Sequence, residues 1–166
     1  MPTVRRARTN DVAAIRALVD RYAGDRILLG KDLVTLYEDV PDFRVALDGD
    51  RVVGCGAVHV MWKDMAEVRT IAVDPACRRT GIGTAIVAEL LRTAADLGVD
   101  QVFCLTFEID FFARLGFEPV GTVPLEPEVF AQMVRSSDEG IAEFLDLERV
   151  RPNTLGNTRM VYRITR

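Results

Sequence analysis

Apolar residues recur at helical spacing in "TNDVAAIRALVDRYAG". Val12, Ile15, Leu18, Val19 and Tyr22 share one face, Thr9 or Asn10 stands at the N-cap position, and Gly24 supplies a stop. "TVRRA" before it reads as a short strand, and "KDLVTLYEDV" after it as a second short helix ended by Pro41. The pattern then turns β-like. "FRVAL" and "RVVGCGAVHVMW" flank the turn "DGD" and predict a hairpin, and "AEVRTIAV" predicts a further strand closed by Asp74-Pro75. Helical spacing returns between Gly83 and Leu97 through Ile86, Val87, Leu90, Leu91 and Ala94, with Gly98 as the cap. "QVFCLTF" is almost continuously apolar, as in a strand covered on both faces. "EIDFFARL" predicts a short helix ended by Gly116, and "FEPVG" starts another strand.

The order is therefore β-α-α-β-β-β-α-β-α-β followed by a tail. In the tail, "EPEVFAQMVRSSDEGIAEFLDLERV" predicts mostly helix and "TRMVYRIT" a last strand. Ile141, Phe144, Leu145 and Leu147 need cover, from the body of the domain or from a second subunit in a homodimer. No repeat or linker interrupts the chain, which reads as one α/β domain over residues 1–166.

Composition narrows the function. Hydrophobic residues make up 49% of the chain, enough for a full core, and the net charge of −4 points away from nucleic acid and anionic membranes as partners. "VVGCGAVHVMW" is too short and glycine-rich to span a bilayer, and "MPTVRRARTND" lacks the apolar core of a signal peptide, so a cytoplasmic location is expected. Cys55, Cys77 and Cys104 have neither paired spacing nor a metal motif, so they read as small hydrophobes and no metal is expected.

The chemistry concentrates in "IAVDPACRRTGIGTAI", Ile71 to Ile86. A strand, a glycine turn and a helix start present unpaired backbone N–H groups in one direction, and the helix dipole adds to them. Gly81 and Gly83 let an anion approach the amides, and Arg78 and Arg79 can add charge-assisted hydrogen bonds. A plain glycine turn with solvated arginines is the other reading. The stretch is neither a Walker A loop nor GxGxxG.

"VDPACRRTGIGTAI" resembles the pyrophosphate loop of the GCN5-related N-acetyltransferases, Arg/Gln-x-x-Gly-x-Gly/Ala, with Arg78, Gly81 and Gly83 filling the pattern. "VRRARTNDVAAIRAL", "VVGCGAV" and "FFARLGF" agree in order and spacing, so the resemblance covers at least residues 4 to 120. It implies a mixed, mostly antiparallel sheet flanked by helices, with the fourth and fifth strands splayed. It also implies acetyl-CoA as cosubstrate, its pyrophosphate on residues 78–84, Arg78, Arg79, Thr80, Gly81, Ile82, Gly83 and Thr84. The pantetheine arm would lie along Ile71, Ala72 and Val73, with the Ile71 N–H toward the thioester carbonyl. Phe112 stands where many relatives carry a general-acid tyrosine next to the cofactor, so the thiolate would leave unprotonated or take a proton from water.

"ILLGKD", "GCGAVHV", "AEVRTIAVDP", "VFCLTF" and "FFARLGF" further resemble the acetyltransferase domain of N-acetylglutamate synthase, the amino-acid N-acetyltransferase of arginine synthesis. "NTLGNTRMV" is similar to that family's closing motif, with Asn153, Thr158 and Arg159 in matching places. Lys31 and Gly156 stand where the longer enzymes carry arginine. The chain also lacks their amino-acid kinase domain and would be a short stand-alone form. The resemblance implies direct acetyl transfer, in a ternary complex, to the α-amino group of L-glutamate or L-glutamine. Another small amine, a protein amino group or a non-catalytic acetyl-CoA module are the alternatives.

Attack on a thioester needs a neutral amine, so some base must take a proton. Glu67 is the first candidate, four residues before Ile71 and on one face with Arg69 and Ile71 by strand alternation. The other reading of Glu67 is an ion pair with Arg69. His59, the single histidine, is the rival base, although a strand histidine more often makes an ordinary hydrogen bond. A dicarboxylic acceptor asks for at least two cations, and Lys31, Arg69 and Arg159 are the candidates.

Overall fold

The computed structural model describes residues 2–25, 28, 31–150 and 156–165. Its strands are β1 (Thr3–Arg6), β2 (Phe43–Asp48), β3 (Arg51–Trp62), β4 (Met65–Val73), β5 (Gln101–Thr106), β6 (Glu118–Pro119) and β7 (Thr158–Arg163). The helices are α1 (Val12–Ala23), α2 (Leu33–Glu38), α3 (Ile82–Asp96), α4 (Ile109–Arg114), α5 (Pro127–Met133) and α6 (Glu139–Phe144). The strands form one seven-stranded sheet in the order β1-β2-β3-β4-β5-β7-β6. β4 and β5 pair in parallel through three residues of each, Met65–Glu67 against Gln101–Phe103, whereas β1-β2, β2-β3, β5-β7 and β6-β7 are antiparallel. This is the mixed, mostly antiparallel sheet that the sequence led one to expect.

The chain divides into two compact units: Met1–His59 with Val68–Leu97, and Val60–Glu67 with Gly98–Arg166. In the first, α1 lays Val12, Ile15, Leu18, Val19 and Tyr22 against Phe43, Val45, Cys55 and Ala57 of the strands, as its spacing predicted. Two glycines of β3 admit α3 on the other face. A Cβ at Gly54 would lie 2.9 Å from both Ile82 Cγ2 and Ile86 Cδ1, and one at Gly56 2.4 Å from Ile71 Cδ1 and 2.8 Å from Ile86 Cγ2. Any side chain there would lift the helix off the sheet. In the second unit Met61, Met65, Phe103, Met133, Ile141, Phe144 and Val161 form a separate core, with the Phe103 and Phe144 rings edge to face at 5.0 Å. Ile141 and Phe144 thus find their cover within the unit.

Several local expectations are corrected. Neither Thr9 nor Asn10 caps α1. A 3-10 turn over Thr9–Asp11 precedes the helix, and the Asp11 carboxylate accepts from the Arg8 N–H at 2.7 Å and from Arg5 Nη1 and Nη2 at 2.7 and 2.9 Å. The carboxylate thus ties the turn to β1 and to the Arg8 amide, and no side chain caps α1 itself. Pro41 does not simply end α2; it sits inside a 3-10 turn, Val40–Asp42, as its fixed φ permits. The helical stretch of the tail is broken into α5, α6 and a 3-10 turn at Glu148–Val150. The break falls at Ser136 and Asp138, whose side chains accept from the N–H groups of Asp138 (3.1 Å) and Ile141 (2.9 Å) and so restart the helix.

Candidate active site

Within the first unit β4 ends at Val73, and Asp74 caps the 3-10 turn Pro75–Cys77 by accepting from the Ala76 N–H at 3.0 Å. That hydrogen bond, and then the nearby Arg21 and Arg51 guanidiniums, hold the Asp74 carboxyl below the usual carboxylate range. The chain turns through two left-handed residues, Arg79 at φ 62° and Gly81 at φ 85°, before α3 begins at Ile82. Gly81 is the N-cap residue and no side chain caps the helix; the first i→i+4 bond of the turn is Ala85 N–H to Gly81 O at 3.0 Å. The amides of Ile82, Gly83 and Thr84 therefore precede the carbonyls that would satisfy them. The space where a Gly81 Cβ would point holds nothing within 4 Å. Arg78, Arg79, Thr80 and Gly81 are exposed, and the Thr80 hydroxyl donates to Cys77 O at 2.6 Å, which closes the turn from below. Left-handed turns of this kind make anion-binding concavities, so the loop has the features that a pyrophosphate requires.

The other predicted cofactor positions divide by environment. Ile71 and Val73 are half-buried and Ala72 is buried. The Val73 carbonyl accepts a hydrogen bond from the Tyr22 hydroxyl. Thr70 before them takes φ 58°, a conformation rare for a β-branched residue, while staying buried in the strand. Burial nevertheless alternates past it, with Arg69, Ile71 and Val73 half-buried and Thr70 and Ala72 buried, whereas Glu67 is buried. Phe112 belongs to the second unit, where it is 5% exposed and packed edge-on against Phe111 and Phe117 at 5.0 and 5.1 Å. It behaves as a core residue there.

Glu67 is 4% exposed, pairs in register with Phe103, and acts electrostatically on Cys104 in the second unit. Burial, and then that carboxylate, push the Cys104 thiol up; burial raises the Cys55 thiol to about 12. Both thiols stay protonated and unreactive at neutral pH, as small hydrophobes should. The rival base His59 has Nδ1 2.8 Å from Asp42 Oδ2, the ordinary hydrogen bond expected of a strand histidine. Among the described residues no cluster of His, Cys, Asp and Glu could hold a metal ion, and no helix is long and apolar enough to cross a membrane.

The three cations have different settings. Lys31 Nζ lies 3.1 Å from Asp39 Oδ2 with both side chains largely covered, so an acceptor carboxylate would compete with Asp39 for it. Arg69 is half-buried on β4. Arg159, at the start of β7, donates from Nη2 to Phe144 O at 2.6 Å and from Nη1 to Gly121 O at 3.0 Å, and its guanidinium lies 5.2 Å over the Phe144 ring. It lines a cavity of about 880 Å³ in the second unit, together with Leu105, residues 120–125, Phe130, Glu143, Asp146 and Asn157. Burial lowers the Arg159 pKa and the Asp146 carboxylate counteracts this. Gly156, in place of an arginine of the longer enzymes, takes φ 87°, which disfavours any side chain. Asn153 lies outside the described residues.

A family model, "Acetyltransferase (GNAT) family", matches residues 15–117. The chain belongs to that family. Its sheet, its β4–β5 pairing and its glycine turn at the start of α3 thus sit in an acetyl-CoA-dependent acyltransferase, as the loop resemblance implied. It is 59% identical over 163 residues to the amino-acid acetyltransferase of Mycobacterium tuberculosis, covering 96% of this chain and 93% of the relative. A crystal structure of a Mycobacterium tuberculosis protein in complex with CoA and NLQ superposes with a TM-score of 0.95 at 57% identity, over 99% of this chain and 100% of that one. The N-acetylglutamate synthase of Neisseria gonorrhoeae, complexed with coenzyme A and N-acetyl-glutamate, matches all of this chain with 36% of its own length at a TM-score of 0.80. At 20% identity it shows likeness of fold.

The sequence reading missed Tyr22, which it placed only in the hydrophobic face of α1, and Thr70. A tyrosine on the last turn of a core-facing helix carries a signal in its hydroxyl, which needs a partner when buried. Nothing in the sequence marks Thr70 as left-handed.

Proposed function

We propose that residues 1–166 form one amino-acid Nα-acetyltransferase domain. It transfers the acetyl group of acetyl-CoA to the α-amino group of free L-glutamate or L-glutamine, a step of arginine biosynthesis. The carrying observation is the 59% identity to an amino-acid acetyltransferase, over nearly the full length of both chains.

The reaction is direct. The neutral amine attacks the thioester carbonyl, the C–N bond forms, the C–S bond breaks and CoA leaves as thiolate. Glu67, through a water, takes the proton that the amine loses. The Ile71 N–H stabilises the oxyanion of the tetrahedral intermediate. The amides of residues 79–84 and the Arg78 guanidinium hold the pyrophosphate. Arg159 reads an acceptor carboxylate from the wall of its cavity, with Arg69 and Lys31 as further cations, Lys31 after exchange from Asp39. Rigid placement supports Arg159 for this role: two carbonyls and a ring fix its plane, which suits bidentate capture.

The test is acetyl-CoA consumption against the twenty amino acids, a peptide and a polyamine, with the products identified by mass. Turnover confined to glutamate, glutamine or both supports the proposal. Robust turnover of the peptide or polyamine, with none of either amino acid, would leave only the family assignment.

A further inference from the structure

Three groups meet at the end of β4. The Tyr22 hydroxyl, at the last turn of α1, donates to the carbonyl of Val73 and accepts from Arg78 Nε at 3.3 Å. The Arg78 guanidinium carbon lies 5.3 Å from the centroid of the Tyr22 ring. Tyr22 is 9% exposed and belongs to the core of the first unit, whereas Arg78 is exposed. One phenol therefore uses its donor and its acceptor at once, bridging the two ends of the Asp74–Cys77 turn.

We infer that Tyr22 is a positioning residue for acetyl-CoA, acting through Arg78; the inference rests on the reading of the loop as the pyrophosphate site. An exposed arginine loses rotamer freedom when it grips a phosphate, and holding it beforehand removes part of that loss from binding. The geometry suits the task. The hydrogen bond to Tyr22 engages Nε and the ring contact takes a guanidinium face, which together set the plane in which the Nη groups would meet a phosphate. The same hydroxyl fixes the Val73 carbonyl, so the end of β4 and the arginine after the turn move as one piece. A phenylalanine would fill the same volume with no polar atom to satisfy, so the hydroxyl is there for the two contacts it makes.

The experiment measures CoA affinity by titration calorimetry, and acetyl-CoA kinetics, in Tyr22→Phe, Arg78→Met and the double variant. Tyr22→Phe keeps the ring and the core. Losing one hydrogen bond at the arginine should raise Kd for CoA about three- to tenfold, and the change in kcat/KM for acetyl-CoA should appear in KM. Arg78→Met should raise Kd further, and Tyr22→Phe should add nothing on that background. A wild-type Kd in Tyr22→Phe, or the same fold-increase with and without Arg78, overturns the inference while leaving the loop reading intact. A wild-type Kd in Arg78→Met removes the loop reading itself, and this inference with it. Should Tyr22→Phe fail to fold, the Arg78 Nε–H of the wild-type protein is followed by NMR without CoA. A resolved resonance slow to exchange with solvent fits the clamp, and exchange as fast as that of a solvated arginine overturns it.

Discussion

On the function proposed above, the glycine loop of the first unit and the Arg159 cavity of the second would solve two recognition problems by opposite means. The loop is made of main chain. Left-handed residues at positions 79 and 81 and an uncapped helix start turn amides outward, and glycines under α3 seat the helix that carries them. The cavity is made of side chains from β5, β7, α5, α6 and the segments between them, and its cation is held by carbonyls of residues 121 and 144, 38 and 15 positions away in sequence. A pyrophosphate offers oxygens in many directions, and a row of amides suits it. An amino acid has to be told from its neighbours, which takes charges at fixed places. On this proposal the general group would be met by backbone and the particular one by side chains.

Variants should separate the two. The largest effect is expected from Glu67→Gln, a loss of about 10²–10⁴ in kcat at pH 7 with little change in Kd for CoA. Part of the loss should return as pH rises and the free amine becomes abundant, which stopped-flow or steady-state pH profiles would show. Should His59→Ala carry that signature and Glu67→Gln behave normally, the base has been misassigned.

Arg159→Ala comes next. On the proposed reading it takes a cation from an acceptor carboxylate and should cost roughly 2–5 kcal/mol of acceptor binding, read as a steep rise in acceptor KM with acetyl-CoA affinity unchanged. Thermal melts should also fall, because two carbonyls lose their donor and Phe144 its stacked guanidinium.

Gly81→Val should weaken CoA binding by more than about tenfold, since φ 85° costs a β-branched residue on the order of 1–3 kcal/mol and the loop must shift to relieve it. Its Cβ meets open space, so the fold should survive. By contrast Gly56→Val, with a neighbour at 2.4 Å, should lower stability itself. Equal affinity for CoA in Gly81→Val and wild type would show that the loop conformation is not what binds.

The smallest effect concerns the entry to α1. The Arg5 guanidinium, and then the Arg8 N–H, hold the Asp11 carboxyl below its ordinary range. A depressed folded pKa adds stability above the unfolded value, and that stability is lost as pH falls through the folded one. Asp11→Asn should therefore be about 1–2 kcal/mol less stable than wild type at pH 7. The gap should narrow once pH drops below about 4. Denaturant melts at pH 7 and pH 3 would show it, and a gap of constant size would contradict the assignment.

The difference between the regions also explains what the sequence revealed. Elements with strong periodicity, such as α1 and α3, and turns marked by Gly81, Gly98 and Gly116, were legible because their determinants lie within a few residues of each other. The loop was legible for the same reason. The left-handed Thr70 was not, because a threonine in a strand-like run carries no mark of it. The tail reads as mostly helix because Ile141 and Phe144 keep helical spacing, whereas hydrogen bonds to the Ser136 and Asp138 side chains break it. Lys31 was read as an available cation because its partner Asp39 lies eight residues on, beyond any local pattern. Tyr22 was read as core, which it is, and its hydroxyl bond to Arg78 spans 56 positions.

The division of labour between backbone and side chains is tested most directly by crossing two variants with two substrates. KM for acetyl-CoA and KM for the amino-acid acceptor are measured in Gly81→Val and Arg159→Ala under identical conditions. The account predicts a clean exchange: Gly81→Val raises the first and spares the second, and Arg159→Ala does the reverse. If Arg159→Ala raises KM for acetyl-CoA while acceptor KM stays at the wild-type value, the cavity of the second unit does not read the acceptor.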